Sequence, residues 1–465
     1  MKFTAKRLRL ALRSLGHFGW AVRHVLRASP LGRLEQVLLR GYALKPNVLS
    51  INITASCNLR CEMCMQPRGL PGDDATGTLG AGRPPLQADE WIRVIDQAAD
   101  ARPAFYFTGG EPLLYKGLDR ILEHLKKRGL IAAFVTNGTL LERWAERLVE
   151  IGVDNVTVSI DGPEAVHDSI RGVPGTFQKA VAGMEALLEA RRRRNARFPA
   201  LKINCVVTPA SLATLGEVYD LACRIGAEEV NFQHPIFDTA QNVAAHNRVF
   251  PQVMRGFEEG GDGPEETAHG RDARATSSGP GGRGRQQTGG QEGEQPRRGG
   301  PACPPQNEPN RPDKPAGPPE TPPSEGDAWQ KRPGEFYEGS LTPDQFDSLQ
   351  ETLRALDQRA RQDGPAAPRI LFFPEMNPTH WRGYYLDFHY PFERRCQMPW
   401  RTMRLLPDGT FEPCLHYAIG NVRDTPLWDL WNAPRMRFFR RALLHNGLYP
   451  ACARCCYRSY RGGEA

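Results

Sequence analysis

The stretch Ile51-Asn-Ile-Thr-Ala-Ser-Cys57-Asn-Leu-Arg-Cys61-Glu-Met-Cys64 decides how the rest of the chain is read. Residues 48–54 alternate apolar and polar side chains and are rich in β-branched residues, which predicts a strand. Cys57, Cys61 and Cys64 follow at once, spaced Cys-x-x-x-Cys-x-x-Cys on the loop leaving that strand. Three thiolates packed so closely can hold three irons of a cubane cluster and leave the fourth iron without a protein ligand. A tetrahedral zinc site would want a fourth Cys or His nearby, and His17 and His24 lie far upstream. A zinc knuckle and a chance group of buried thiols are the other two readings at this point.

Outward from that loop, composition sets the limits. The 465 residues suffice for two or three domains. Hydrophobic residues make up 40%, diluted by 46 Gly and 40 Pro that concentrate in one segment. The 11 cysteines are clustered, no export signal is visible, and no apolar run is long enough to span a membrane. Such clustering predicts metal or cluster ligands in a reducing cytoplasm, not disulfides. The net charge of +7 is unevenly placed. Residues 1–45 carry ten Lys or Arg against Glu35, a net +9, so the other 420 residues sum to −2. A nearly neutral body gives no argument for nucleic-acid binding.

The basic arm, residues 1–45, places Leu8, Leu12, Leu15, Val22 and Leu26 near one helical face. Residues 1–27 could lie on an anionic membrane surface, or pack as an ordinary helix with the arginines in water. From 48 to 235 strand and helix patterns alternate. Strands are expected at 48–54, 104–108, 131–136, 155–160, 201–208 and 228–233, with helices near 88–100, 117–128, 140–151, 176–194 and 212–225. Six βα units predict a parallel sheet with right-handed crossovers and chemistry on the loops after the strand C-termini. Residues 258–336, including Cys303, are Gly/Pro-rich and cannot bury a core, which predicts a disordered insert. A helix over 342–362, capped by Thr342, restarts the ordered chain within a connecting helix and strand region, 337–390.

Polar motifs stand at the predicted strand ends. The second strand ends in Thr-Gly109-Gly110-Glu111-Pro, where adjacent glycines admit a close ligand and a carboxylate can receive an ammonium group. The third ends in Thr-Asn137-Gly and the fourth in Ser159-Ile-Asp161-Gly, patterns that also make plain turns. His-Asp-Ser-Ile-Arg171-Gly follows. Asn204 could face the same cavity, while Cys205 and Cys223 read as core residues. His234 and Asp238, after the sixth strand, suit either the cavity mouth or a buried structural role; no catalytic acid or base is assigned.

The cysteine loop after a strand, followed by Gly-Gly-Glu, resembles the radical S-adenosylmethionine (radical SAM) enzymes. The resemblance implies an α/β fold, a partial (β/α)6 TIM-like barrel over 46–257. It implies a SAM-binding 4Fe–4S cluster on Cys57, Cys61 and Cys64, whose open iron chelates S-adenosylmethionine. Gly109, Gly110 and Glu111 would hold the SAM amino group, Asn137, Ser159 and Asp161 its ribose or carboxylate, and Arg171 its carboxylate or only the loop. An electron donor such as flavodoxin or ferredoxin is implied as well.

Residues 391–465 resemble the family's SPASM/Twitch extension. Cys396 is followed by Gly409 and Cys414, then Cys452-x-x-Cys455-Cys456, with a β-hairpin predicted at 402–406 and 410–412. Two auxiliary clusters would need seven or more cysteines here; five suit the one-cluster Twitch form. Cys396, Cys414, Cys452 and Cys455 would ligate an auxiliary 4Fe–4S cluster, with Cys456 spare; a zinc ribbon is the alternative. The resemblance implies an oxidoreductase acting on a small polyol, sugar or lipid-linked molecule, or else a maturase of ribosomally made peptide or protein side chains. The arm is too short for the leader-binding module that peptide-modifying relatives often carry. A cluster-bearing scaffold without activity is the non-enzyme alternative, disfavoured by the intact Gly-Gly-Glu.

Overall fold

A computed structural model of the protein describes residues 35–36, 38–64, 83–236, 238–258, 341–387, 390, 392, 396–414 and 417–456. The basic arm up to residue 34 and nearly all of the expected insert, with Cys303, lie outside the described residues. Among those described, no helix is long and apolar enough to cross a membrane.

Six strands form where the alternation predicts them: β1 (Val48–Thr54), β2 (Ala104–Gly109), β3 (Ile131–Thr136), β4 (Asn155–Ser159), β5 (Ala200–Val206) and β6 (Glu229–Gln233). They pair in sequence order, all parallel. The sheet continues past them on both sides. β7 (Arg369–Phe373) adds to β6, and β8 (Thr402–Leu405) lies parallel to β1. Antiparallel β9 (Thr410–Phe411) and β10 (Gly420–Asn421) extend the β8 side, giving the order β10-β9-β8-β1-β2-β3-β4-β5-β6-β7. That order has two free ends, so the described strands form an open partial barrel of the expected class. Its eight parallel strands outnumber the six read from sequence, because β7 lies beyond the Gly/Pro-rich stretch and β8 reads as one arm of a hairpin. It is that arm, with Leu405 opposite Phe411, but its other edge joins the barrel.

Each strand divides its residues between two faces. In β1, Leu49, Ile51 and Ile53 are fully buried in the hydrophobic core, while Ser50 and Asn52 alternate with them on the inner face. The covering helices present the matching stripe. In Leu118–Lys127, Leu118, Ile121, Leu122 and Leu125 fall at helical spacing and are fully buried. Burial of each such side chain contributes roughly 1.5–3 kcal/mol. The expected Thr342 cap is present: its Oγ1 accepts from Gln345 N at 3.3 Å, and Gln345 Oε1 accepts from Thr342 N at 3.0 Å. Helices that the sequence pattern does not predict include Glu164–Arg171, Ala240–Glu258 and Pro434–Asn446.

The C-terminal region is tied to the segment entering β1. Ala43 exchanges hydrogen bonds with the Asn432 side chain, both at 3.0 Å, and Trp431 Nε1 donates to Leu44 O at 3.0 Å. Arg440, fully buried, donates to the carbonyls of Pro399 (2.9 Å), Gly41 (3.0 Å) and Trp431 (2.9 Å) and to Asn432 Oδ1 (2.9 Å). Its guanidinium also lies over the Trp431 ring at 4.4 Å. One planar fork therefore satisfies acceptors from three segments distant in sequence. Arg440→Met, of similar bulk, would leave those carbonyls buried without a donor. We expect a stability loss of about 3 kcal/mol or more in denaturant unfolding, and no rescue by Lys, which lacks the fork.

Candidate functional site

The expected site residues gather where β1 to β5 end. At the exit of β2, Gly110 N donates to Thr54 O at 2.7 Å and Glu111 N to Ser56 O at 2.8 Å. The chain leading into Cys57 is thus paired to the Gly-Gly-Glu turn. Glycine is required there: a Cβ on residue 109 would lie 2.3 Å from Thr54 O, and one on residue 110 would lie 2.1 Å from Ser56 O. Gly109 also has φ +121°.

The Glu111 carboxylate is buried beneath this turn. Oε1 accepts from Leu113 N (3.1 Å) and Thr136 Oγ1 (2.7 Å), and Oε2 from Asn137 N (2.7 Å). Burial pushes its pKa up, while these donors and Arg171 pull it back. With roughly four acceptor positions on a carboxylate, three are taken. Asn137 in turn donates through Nδ2 to Asn58 Oδ1 at 2.9 Å, and Asn58 Nδ2 donates to Thr139 Oγ1 at 2.8 Å. Asn58 and Thr139 were missed in the sequence reading; an Asn inside the cysteine loop is the signal that could have found them.

The other flank of the loop is held by the helix Glu164–Arg171. Arg60 N donates to Arg171 O and Glu62 N to Ile170 O, each at 3.0 Å, so Cys61 sits between two backbone anchors. Arg171 Nη2 lies 2.6 Å from Asp161 Oδ2, an ion pair off the hydrogen-bond axis, and Nη1 donates to Cys61 Sγ at 3.6 Å. Asp161, fully buried at the end of β4, also accepts from Val206 N at 3.1 Å. Burial, with Glu111 and the other two thiols nearby, pushes the Cys57 thiol up to about 11. Ser159 stands opposite Asn204, which lies opposite Asn231, and that in turn opposite Leu371. These residues share one row of the inner face. Asn204 Nδ2 donates to Gln233 Oε1 (3.2 Å) and Asn231 Nδ2 to Asn204 Oδ1 (2.5 Å), forming an amide wall. Cys205 is buried in the core and Cys223 packs against it, as read.

The second constellation forms beyond β9. Cys452 and Cys455 lie close enough to Cys396 and Cys414 to raise both thiols, after burial, which is the larger cause. Cys456 is beside Cys455 and Cys396, and on its other side affects Tyr106 on the inner face of β2. Arg454, buried between the paired cysteines, donates to the carbonyls of Tyr384 (2.5 Å), Ala453 (3.0 Å), Gly383 (3.0 Å) and Asp387 (2.6 Å). The hairpin turn before Cys414 is closed by Asp408, which accepts from Thr410 N (3.0 Å) and Oγ1 (2.9 Å), and by Gly409 at φ +88°.

His234 and Asp238 take structural places. His234 is fully buried among Phe372, Trp381, Tyr384 and Tyr385, with Nδ1 2.6 Å from the Tyr385 hydroxyl. Burial lowers its pKa to about 3. Asp238 is buried and accepts from Thr239 N at 3.0 Å and from Asn242 Nδ2, at the start of the helix Ala240–Glu258. Below the ordinary histidine value of about 6.5, the unfolded chain takes up a proton that folded His234 refuses. Stability at this residue is therefore lost as pH falls, by about 2 kcal/mol between pH 7 and 5. Unfolding curves of His234→Gln should show that much less acid sensitivity.

The residues fit the clusters and the cofactor that the resemblance implies. Among the described residues, no three His, Cys, Asp or Glu side chains converge closely enough for a single metal ion. A cubane is wider, and its thiolates stand around it instead of meeting at one ion. Asn52 Nδ2, on the inner face of β1, and Arg171 Nε, at the end of the helix Glu164–Arg171, are buried without hydrogen-bond partners, as donors awaiting a polar ligand would be.

Comparison with known proteins agrees with this geometry. The radical SAM superfamily model matches residues 51–222, and the SPASM iron-sulfur cluster-binding domain matches 396–456. An AdoMet-dependent heme synthase of Methanosarcina barkeri is 36% identical over 185 residues, 39% of this chain and 48% of the relative. A GTP 3',8-cyclase of Rhodococcus opacus is 28% identical over 205 residues, 43% of this chain and 55% of the relative. The chain thus spans about half the length of the curated relatives it matches. Streptococcus suis SuiB bound to precursor peptide SuiA aligns at TM-score 0.53 and 13% identity, over 96% of this chain and 76% of that one, a likeness of fold.

The close approach at Gly110 can be tested directly. Gly110→Ala would push the Ser56 backbone away and disturb the entry to Cys57, so the variant should melt several degrees or more below wild type and bind about half the wild-type iron after anaerobic reconstitution. From the two family matches, the three-cysteine loop and the Gly-Gly-Glu turn locked to it, the chain carries a radical SAM domain over residues 51–222 and a C-terminal SPASM iron-sulfur cluster-binding domain over residues 396–456.

Proposed function

We propose that the chain is a radical SAM enzyme that removes a hydrogen atom from an unactivated carbon and oxidises a small polyol, sugar or lipid-linked substrate. The observation that carries the reading is the three-cysteine loop hydrogen-bonded on one side to Gly109-Gly110-Glu111 and on the other to the helix Glu164–Arg171. S-adenosylmethionine and 4Fe–4S clusters are the cofactors of this domain pair; the first cluster supplies one-electron cleavage of S-adenosylmethionine to a 5′-deoxyadenosyl radical, and a second would supply an electron acceptor.

The chain's own residues do the holding. Cys57, Cys61 and Cys64 would hold the first cluster through three irons, leaving its fourth for S-adenosylmethionine. The remaining acceptor position of Glu111 suits its ammonium, and Arg171 Nε its carboxylate. Asn137, Ser159 and Asp161 line the same rim. Cys396, Cys414, Cys452 and Cys455 are taken as the single auxiliary set, with Cys456 the spare. The amide wall of Asn204, Asn231 and Gln233 suits a hydroxyl-rich substrate. Leu371 and Phe373, exposed on the neighbouring β7, suit an attached lipid or apolar group.

A maturase acting on a ribosomally made peptide is the second reading. It is favoured by the fold shared with SuiB in its complex with a precursor peptide. An electron donor of the flavodoxin or ferredoxin kind is needed in either case, and peripheral membrane contact through residues 1–27 would suit a lipid-linked substrate.

Anaerobic reconstitution with iron and sulfide counting tests the cluster assignment. We expect about eight irons in the wild type and about four in the Cys57/Cys61/Cys64 triple alanine variant, which should form no 5′-deoxyadenosine. About four in the wild type and none in the variant would remove the auxiliary cluster and with it the electron-acceptor role.

A further inference from the structure

The side chain of Arg171 bridges two groups of opposite chemical consequence. Nη1 donates to the sulfur of Cys61 at 3.6 Å, while Nη2 is paired with the buried carboxylate of Asp161 at 2.6 Å. The bridge is fixed at every point. The carbonyls of Ile170 and Arg171 accept from Glu62 N and Arg60 N, on either side of Cys61. Gly172 ends the helix at φ +69°, and a Cβ there would lie 2.7 Å from Arg60 O. Asp161 is anchored in turn by Val206 N at 3.1 Å. The cysteine loop and the guanidinium therefore cannot drift apart without breaking the backbone pairing.

We propose that Arg171 is a positioning residue that donates a charge-assisted hydrogen bond to the Cys61 thiolate, and that the Arg171–Asp161 pair sets the reduction potential of the first cluster. This rests on Cys57, Cys61 and Cys64 being the ligands of that cluster. A donor to a ligand sulfur withdraws charge from it, and a nearby cation favours the state that holds one more electron. Asp161 works against this, because its negative charge offsets the guanidinium. The two residues thus act on the potential with opposite signs. The effect needs no S-adenosylmethionine, so it can be read in protein free of that cofactor.

The test is an EPR-monitored redox titration of reconstituted full-length protein without S-adenosylmethionine, in which one electron passes from a low-potential chemical reductant to the cluster and no proton moves. The signal to follow is the one that S-adenosylmethionine perturbs in the wild type and that the Cys57/Cys61/Cys64 triple alanine variant lacks; the other serves as an internal control. Arg171→Gln should give about a tenfold lower ratio of reduced to oxidised cluster at fixed potential, about 59 mV for one electron. Asp161→Asn should raise that ratio, and Arg171→Lys should fall between wild type and Arg171→Gln. Unchanged midpoints in Arg171→Gln and Asp161→Asn, or shifts of the same sign, would overturn the proposal. If Arg171→Gln fails to hold its cluster, the direction of the Asp161→Asn shift decides alone. Wild-type protein that takes up no iron dependent on Cys57, Cys61 and Cys64 would overturn the functional reading itself.

Discussion

At the mouth of the barrel the carbonyl oxygen of Ser56 occupies the space where a β-carbon on residue 110 would sit. Two chain exits, from β1 and β2, are pressed together until only glycine fits between them, and the amide protons that become available are used to bind the incoming cysteine loop. Everything else at the rim is arranged around that closeness. Glu111 is carried beneath the turn, where it ties the end of β3, and Asn137 at that end reaches back to Asn58 beside the first cysteine. The loop is thus determined from three directions before any iron arrives, which lowers the ordering cost of binding it.

Buried cations recur where backbone carbonyls would otherwise lack partners. Arg440 joins the segment before β1 to the C-terminal helices, and Arg454 joins the paired cysteines to residues 383–387. Both use the planar guanidinium against carbonyl oxygens. That arrangement satisfies several acceptors at once, where a neutral side chain would satisfy one or two. In Arg454 the charge also lies within the peptide that carries Cys452 and Cys455, so thiolates held there would have a cation at hand.

Much of this architecture is legible in the sequence, for definite reasons. The strands β1 to β6 announce themselves by alternation, and Cys57, Cys61, Cys64 and Gly109-Gly110-Glu111 by spacing and order. What escaped was long-range or local in a different sense. The pairing of β8 with β1 depends on which edge of a hairpin is free, a fact no local pattern encodes. The helix Glu164–Arg171 is short and polar in sequence, and its role shows only when its last carbonyls are seen against Arg60 and Glu62. His234, which could have been catalytic from its position after β6, is instead enclosed by aromatic rings contributed by residues 372–385. Its neighbours come from far along the chain, beyond the Gly/Pro-rich stretch.

The pairing of β8 with β1 has a consequence for how the molecule is made. The two strands lie about 350 residues apart, so the edge of β1 must wait for most of the chain to be synthesised before it is covered. Until then a strand with one strongly apolar face, followed closely by three thiols, stands at the border of an incomplete sheet. A ribosome-bound nascent chain should depend on chaperones to a degree that the finished, closed molecule does not.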